Sequence, residues 1–230
     1  MTFTTAIIVA AGLGRRMGGT IPKQFLLLSQ KPILQHTLER FQSFDRIQAI
    51  CVVVPADFRA DYETKIRQDW GIAKIHAVLA GGAQRHLSVW KGIEAVPKES
   101  HIIMIHDGVR PFVSERMVHQ SIDAALQHGA AVVGIPPKDT VKQVNAQRIH
   151  HTLKRDTLFL AQTPQTFQTQ VIRRANELAF AQHSFSTDDA ALVEQMGHLV
   201  ATVQGDWKNI KITSPEDLII ANAIWESDNL

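Results

Sequence analysis

The stretch Ala10-Ala11-Gly12-Leu13-Gly14-Arg15-Arg16-Met17-Gly18-Gly19-Thr20-Ile21-Pro22-Lys23-Gln24-Phe25 decides how this chain is read. The apolar run Ala6-Ile7-Ile8-Val9-Ala10 enters it as a strand enters a glycine-rich loop. A dinucleotide-binding turn would place a third glycine at position 17, where the next helix packs on the strand, and this chain has Met17. The P-loop of ATPases would place Lys-Ser or Lys-Thr after the glycines, and Arg15-Arg16 stand there instead. Gly12 and Gly14 let the backbone turn closely around a ligand, and amides in such a turn form a concavity suited to anions. Arg16 can hold two phosphate oxygens at once, Lys23 is a compact point charge, and Pro22 fixes the chain just before it. A plain strand-to-helix turn with solvated arginines is the competing reading.

Working outward, short β-branched runs alternate with amphipathic stretches. Residues 6–11, 47–54, 74–79, 101–106 and 131–135 read as strands. Residues 33–44, 57–70, 84–96 and 115–128 carry apolar side chains at three- and four-residue intervals and read as helices. That alternation predicts an α/β fold, three layers around a mostly parallel sheet, with ligands beyond the carboxyl ends of the strands. Residues 139–155 are polar and weakly patterned, with a turn at Asn145-Ala146-Gln147, and read as a projecting β-hairpin arm at about 138–156. A lone hairpin is marginal in water, so the arm is expected to pack on something. Residues 209–213 read as a closing strand, followed by a helix with Ser214 as N-cap and Pro215 at its first position.

With 230 residues, 45% hydrophobic and 20% charged, the composition fits one globular domain over 1–230. The 24 basic and 22 acidic residues nearly cancel, which argues against nucleic acid or a membrane surface as partner. The single cysteine, Cys51, lies in an apolar run and reads as a buried small hydrophobe in a reducing compartment. The N-terminal apolar stretch is too short for a signal peptide or a span, so the expectation is a complete, cytoplasmic protein.

Three further clusters carry chemistry. In Ala80-Gly81-Gly82-Ala83-Gln84-Arg85-His86-Leu87-Ser88, backbone groups at Gly81 and Gly82 can read a base edge, while Arg85 and Ser88 share one helix face. In His106-Asp107-Gly108-Val109-Arg110-Pro111, Asp107 emerges at a strand's carboxyl end, placed to hold a divalent cation or a ribose hydroxyl, and Arg110 can meet a phosphate. An internal Asp107–Arg110 ion pair is the alternative. Lys154-Arg155-Asp156, Thr163 and the isolated Lys211 complete the set. Asp188-Asp189 reads as helix capping. The 11 histidines show no ligand spacing, and the adjacent His150 and His151 should point to opposite faces of a strand.

Taken together, AAGLGRRM, PKQF, GGAQRHLSV, HDGVRPFV, PPKDTVK, TPQTF, TDDAALVEQMG and NIKITSPEDL resemble, in order, the 2-C-methyl-D-erythritol 4-phosphate (MEP) cytidylyltransferase family. The resemblance covers nearly the whole chain and implies a Rossmann-like nucleotidyltransferase fold. It implies a reaction of CTP with MEP, with Mg²⁺, in non-mevalonate isoprenoid synthesis, by a homodimer whose arm reaches the neighbour's site. On this resemblance Arg16 and Lys23 stabilise the transition state, and Arg155 and Lys211 position the sugar phosphate. Ala10, Ala11, Gly82 and Ser88 contact the cytidine, with Gly12, Gly14, Gly81 and Arg85 in the same nucleotide loops. Asp107 lies near metal and substrate, and Arg110, Thr140 and Thr163 contact the substrate, the first two from across the dimer. The family commonly has an acid where this chain has Ala83, so base choice turns on whether that acid reads through its side chain or its backbone. A pentitol-phosphate enzyme acting on ribitol 5-phosphate shares the glycine loop and the HD-x-x-R-P segment. A non-catalytic nucleotide-binding module would be expected to lose Arg16, Lys23, Arg155 and Lys211, all present here. A nicotinamide-dependent oxidoreductase is disfavoured by Met17.

Overall fold

The computed structural model describes residues 2–12 and 21–228; Gly14 and Arg16 lie outside the described residues. The chain runs β1 (Thr4–Val9), β2 (Leu27–Leu28), β3 (Lys31–Pro32), α1 (Ile33–Ser43), β4 (Ala49–Val54), α2 (Arg59–Thr64), β5 (Ile75–Ala80), α3 (Arg85–Ala95) and β6 (Ile102–Asp107). It continues through α4 (Glu115–His128), β7 (Ala130–Ile135), β8 (Lys142–Asn145), β9 (Arg148–Thr152), β10 (Leu160–Gln168), α5 (Thr169–Gln182), α6 (Asp189–Gln195), β11 (Ala201–Gln204) and α7 (Pro215–Asp228). The central sheet has seven strands in the order β11-β7-β10-β6-β1-β4-β5. All neighbours are parallel except β10, which runs antiparallel to both β6 and β7.

The layers follow from the period-2 alternation of strand side chains. Ala6, Ile8, Ile50, Val52 and Met104 face α1, α2 and α4, meeting Leu38, Phe41, Tyr62 and Val118. Ile7, Cys51, Val53, Ile103 and Ile105 face the other way onto α3, α5 and α6, meeting Val89, Ile93, Ile172 and Val193. Burial pushes the Cys51 thiol up to about 12, so it is a packed apolar group and not a nucleophile.

β10 is the strand that composition conceals. Its sequence, Leu-Ala-Gln-Thr-Pro-Gln-Thr-Phe-Gln, is polar and contains Pro164, both marks against a central strand. The pairing with β7 shifts between Ala161 and Gln165, which takes the proline out of the regular ladder. Its buried polar side chains are matched: Thr166 donates to Ser121 Oγ at 3.0 Å, and Gln165 donates to Asp188 at 2.8 Å while accepting from the N–H groups of Asp189 and Ala190.

The arm is the β8–β9 hairpin, turning at Ala146 (φ 46°) and Gln147 (φ 63°), two successive left-handed residues as a tight hairpin turn requires. Its strands are exposed throughout, including Val144 and Ile149, which pair with each other. His150 and His151 do not point to opposite faces as predicted; their Nδ1 atoms lie 2.8 Å apart, next to a register shift in the hairpin. Residues 209–213 are not a strand either. Ile212 N–H donates to Val109 O at 3.0 Å and Ile210 N–H to Lys208 O at 2.7 Å, so the segment is pinned at points without a ladder. Ser214 does open α7, accepting from Asp217 N–H at 3.4 Å, while Asp217 Oδ2 accepts from the N–H groups of Thr213 and Ser214 at 2.8 and 2.9 Å.

Candidate active site

The carboxyl ends of β1, β4, β5 and β6 open onto a cleft of about 730 Å³. Its floor is the turn after β1, where Ala10 N–H donates to Val53 O at 2.8 Å and Ala10 O accepts from the buried Gln24 side chain at 2.6 Å. Gln24 belongs to a 3₁₀ turn, Lys23–Phe25, whose other end is fixed by Phe25 stacking on Tyr62 with ring centroids 3.6 Å apart. Lys23 is thus presented to the cleft by a turn anchored on both sides.

The opposite wall is the loop after β5. A Cβ on Gly81 would stand 2.3 Å from Ala11 Cβ, and one on Gly82 would stand 2.5 Å from Leu87 Cβ. Gly81 is therefore set by close approach of the turn after β1, and Gly82 by close approach of α3; their N–H groups are spent on Val54 O and Ser88 Oγ. Ser88 Oγ accepts from Gly82 N–H at 3.0 Å and donates to Gln84 O at 3.3 Å, so it holds the loop's shape from the first turn of α3. Ala10, Ala11, Gly12, Gly81, Gly82, Arg85 and Ser88 all line this cleft.

A second hollow of about 260 Å³ adjoins it, between the end of β6, β10 and the start of α6, lined by Arg110 and Thr163 among others. Arg85, Asp107 and Lys211 line both hollows and form the seam between them. Asp107 Oδ2 receives Lys211 Nζ at 2.9 Å and Arg110 Nε at 3.3 Å. Burial by itself would raise the Asp107 pKa, but the charges of Lys211, Arg110 and Arg85 outweigh it and hold the carboxyl well below the usual range. Arg85 is gripped by Asp189 through two hydrogen bonds, at 3.0 and 2.6 Å. Asp188 caps α6, accepting from Ala191 N–H, so of the two acids expected to cap, one caps and the other holds Arg85.

The internal Asp107–Arg110 pair and the cleft position, weighed as alternatives in the sequence, are both present. Arg110, expected from across a dimer, lines its own chain's hollow; it is buried, with Nη1 donating to Asn209 O at 2.7 Å. Thr140 and Arg155 stay out on the exposed arm, and Arg155 donates to Lys138 O at 3.1 Å. Residue types alone gave no warning of Asn209, which is fully buried and donates to Thr163 O at 2.9 Å and Gln162 Oε1 at 3.2 Å. His106, beside Asp107 in the motif, was equally overlooked; its ring is fully buried between Thr163 and the Arg110 carbonyl.

Burial lowers the pKa of His106 to about 4, against smaller raising effects from its hydrogen bond to Arg110 O and from Asp107; burial also lowers that of His36. The His106 ring is neutral in the fold, so its contribution to stability is full above the unfolded value of about 6.5 and falls as pH drops from there toward about 4, because the unfolded chain binds the proton; the lowered His36 acts in the same direction. Unfolding free energy from urea titration is expected to be about 1–2 kcal/mol lower at pH 5 than at pH 7. An unchanged urea midpoint would mean that the folded rings protonate freely.

Among the described residues a separate group, Asp45, Glu115 and His119, brings three ligand atoms within 4.8 Å of one another. It shares no residue with either hollow and is accounted for by the His119–Asp45 contact at 2.9 Å and the neighbouring Arg46–Asp123 pair at 2.7 Å. No helix among the described residues is long and apolar enough to cross a membrane.

The architecture and the site can be set beside known proteins. A family model described as 2-C-methyl-D-erythritol 4-phosphate cytidylyltransferase matches residues 4–227. Proteins of that name from Geobacter metallireducens and Geotalea uraniireducens are 46% and 43% identical, over 95% and 98% of this chain and 95% and 97% of their own. The crystal structure of 4-diphosphocytidyl-2C-methyl-D-erythritol synthase from Anaerococcus prevotii superposes with a TM-score of 0.86 at 31% identity, covering 98% of this chain and 99% of that one. The enzyme from Thermus thermophilus superposes at 0.80, also 31% identical, over 98% and 100%. A match of this length, with a seven-stranded sheet whose strand ends carry two hollows, leaves one assignment: the chain belongs to the 2-C-methyl-D-erythritol 4-phosphate cytidylyltransferase family.

Proposed function

We propose that this protein transfers the cytidylyl group of CTP to 2-C-methyl-D-erythritol 4-phosphate, giving 4-diphosphocytidyl-2-C-methyl-D-erythritol and diphosphate, in the cytoplasm. Family membership supports the reaction, and one structural observation supports its placement: Arg85, Asp107 and Lys211 line both hollows, so a charged seam lies where two phosphorylated substrates would meet. The larger hollow takes the nucleotide against Ala10–Gly12 and Gly81–Gly82, and the smaller takes the polyol phosphate.

The nucleophile is a phosphate oxygen, largely deprotonated near neutral pH because its second pKa is about 6, so no general base is needed. Catalysis then reduces to positioning two anions and stabilising the charge that builds on the α-phosphate and the departing diphosphate. Lys23, with Arg16 outside the described residues, supplies charge on the nucleotide side. Lys211 is placed for the incoming phosphate, its ammonium set by Asp107. The donor set fits Mg²⁺, a hard cation that takes one or two carboxylates together with substrate phosphates. Asp107 is the acid common to both hollows among the described residues and would hold it. Such an ion would neutralise phosphate oxygens as charge develops.

The arm completes the reading as a homodimer. Val144 and Ile149 form an exposed apolar pair, and Thr140 and Arg155 sit on the same arm away from their own chain's hollows, as residues serving a neighbour's site would. Nothing observed favours ribitol 5-phosphate as the acceptor.

Diphosphate release with Mg²⁺ tests the reading, pairing CTP with 2-C-methyl-D-erythritol 4-phosphate or ribitol 5-phosphate, and replacing CTP by ATP, GTP or UTP. Release is expected with the erythritol phosphate and CTP alone. Release with several nucleotides would show that Ala83 removes base selectivity, and release with ribitol 5-phosphate alone would overturn the substrate.

A further inference from the structure

The smaller hollow is lined by Thr163, and the hydroxyl of that residue is already committed on two sides. Asp107 N–H donates to Thr163 Oγ1 at 3.1 Å. His106 Nδ1 lies 3.0 Å from the same oxygen, and His106 Nε2 lies 3.0 Å from Arg110 O. A carbonyl oxygen only accepts, so the ring hydrogen is on Nε2, which donates to Arg110, and Nδ1 offers a lone pair. Thr163 therefore donates its one hydrogen to His106. What its oxygen has left is a single acceptor position.

The ring cannot adapt. It is fully buried and packs against Phe41 with centroids 4.8 Å apart, and turning it over would put carbon where both nitrogens bond. Thr163 is held from its other end by Asn209, which donates to the Thr163 carbonyl at 2.9 Å. Thr163 lines the smaller hollow, and an acceptor turned to that hollow would repel a phosphate oxygen and welcome a hydroxyl hydrogen.

We propose that His106 is a positioning residue that fixes the Thr163 hydroxyl as an acceptor, so that this wall of the smaller hollow selects a hydroxyl of the polyol and turns its phosphate toward Lys211 and Arg110. The inference deepens the proposed function and rests on the assignment of the smaller hollow to the polyol phosphate.

Two substitutions separate the two ring nitrogens. His106→Gln places an amide near Nε2 and keeps a donor for Arg110 O, but loses the acceptor for Thr163. His106→Asn places a carbonyl near Nδ1 and keeps that acceptor. In the diphosphate-release assay, His106→Gln and Thr163→Val are each expected to raise KM for the polyol phosphate about tenfold, with KM for CTP within about twofold of wild type. His106→Asn should raise it at least about threefold less than His106→Gln. Equal losses in the two His106 variants, or an equal rise in KM for CTP, would overturn the proposal. Nitrogen-15 spectra of labelled wild-type protein, with the His106 ring signals assigned through bonds from the residue's own backbone amide, test it without turnover. They should show a bare Nδ1 and a protonated Nε2; a hydrogen on Nδ1 sinks the idea even if the variants fail to fold. Absence of wild-type turnover would remove the functional reading, while the spectrum would still decide the polarity of Thr163.

Discussion

Lys23→Ala is expected to lower kcat by about 10²–10³-fold while changing KM for CTP by less than about tenfold. The lysine lines the nucleotide hollow from a turn that cannot shift easily, since the Gln24 side chain bonds Ala10 O at 2.6 Å and Phe25 stacks on Tyr62 at 3.6 Å. A charge held in place before reaction costs no reorganisation when negative charge builds on the phosphates, so its effect is concentrated in the transition state. Steady-state rates over a CTP series decide it. A higher KM with unchanged kcat would make Lys23 a group that binds ground state and transition state alike. Lys23→Arg should recover only part of the rate, because a forked guanidinium does not reproduce a compact ammonium.

Asp107→Asn should act on both stability and substrate binding. The substitution keeps the shape and removes the charge that Arg110 and Lys211 share. The Asp107–Arg110 pair is about nine-tenths buried, with side chains 10% and 11% exposed, so loss of one partner leaves a buried guanidinium without its counter-charge. A loss of about 3 kcal/mol in unfolding free energy is expected, measured by urea denaturation at pH 7. KM for the polyol phosphate should rise at least about tenfold, because the Lys211 ammonium loses its anchor 2.9 Å away. Full stability in the variant would show that solvent already neutralises the seam. Because its neighbours hold the Asp107 carboxyl well below the usual range, this contribution is present above the unfolded value of about 3.9 and is lost only as pH falls through the lower folded value. The loss expected between pH 7 and pH 5 therefore belongs to the buried histidines and not to Asp107.

These two residues also mark how far the sequence can be read. Asp107 and Lys211 are separated by more than a hundred residues, and the sequence assigned both to the site through motif resemblance, while their mutual contact needed the fold. Strands β1, β4, β6 and β7 were legible because they are buried on both faces and must be continuously apolar, as in Ala49-Ile50-Cys51-Val52-Val53-Val54, whereas the short parallel strand β11, half exposed, was not read. Helices α1, α3 and α4 were legible because one face of each meets the sheet and repeats at helical spacing.

β10 was not legible, for a physical reason: a central strand built of Gln162, Thr163, Gln165 and Thr166 is stable only because backbone and side-chain groups of β6, α4, the start of α6 and residues 206–209 satisfy its polar groups. Periodicity sees hydrophobic burial and cannot see buried polar groups whose partners are remote. The same holds for Asn209, His106 and the Arg85–Asp189 pair, whose partners are 46, 57 and 104 residues away. The sequence by itself determined the layered fold, the strand ends that open onto the hollows and the identity of the charged groups, because local pattern and residue type encode those. Which charge meets which, which hollow Arg110 lines, and which groups the Thr163 hydroxyl meets were decided by tertiary structure alone, because a hydrogen bond's direction is set by both of its partners at once.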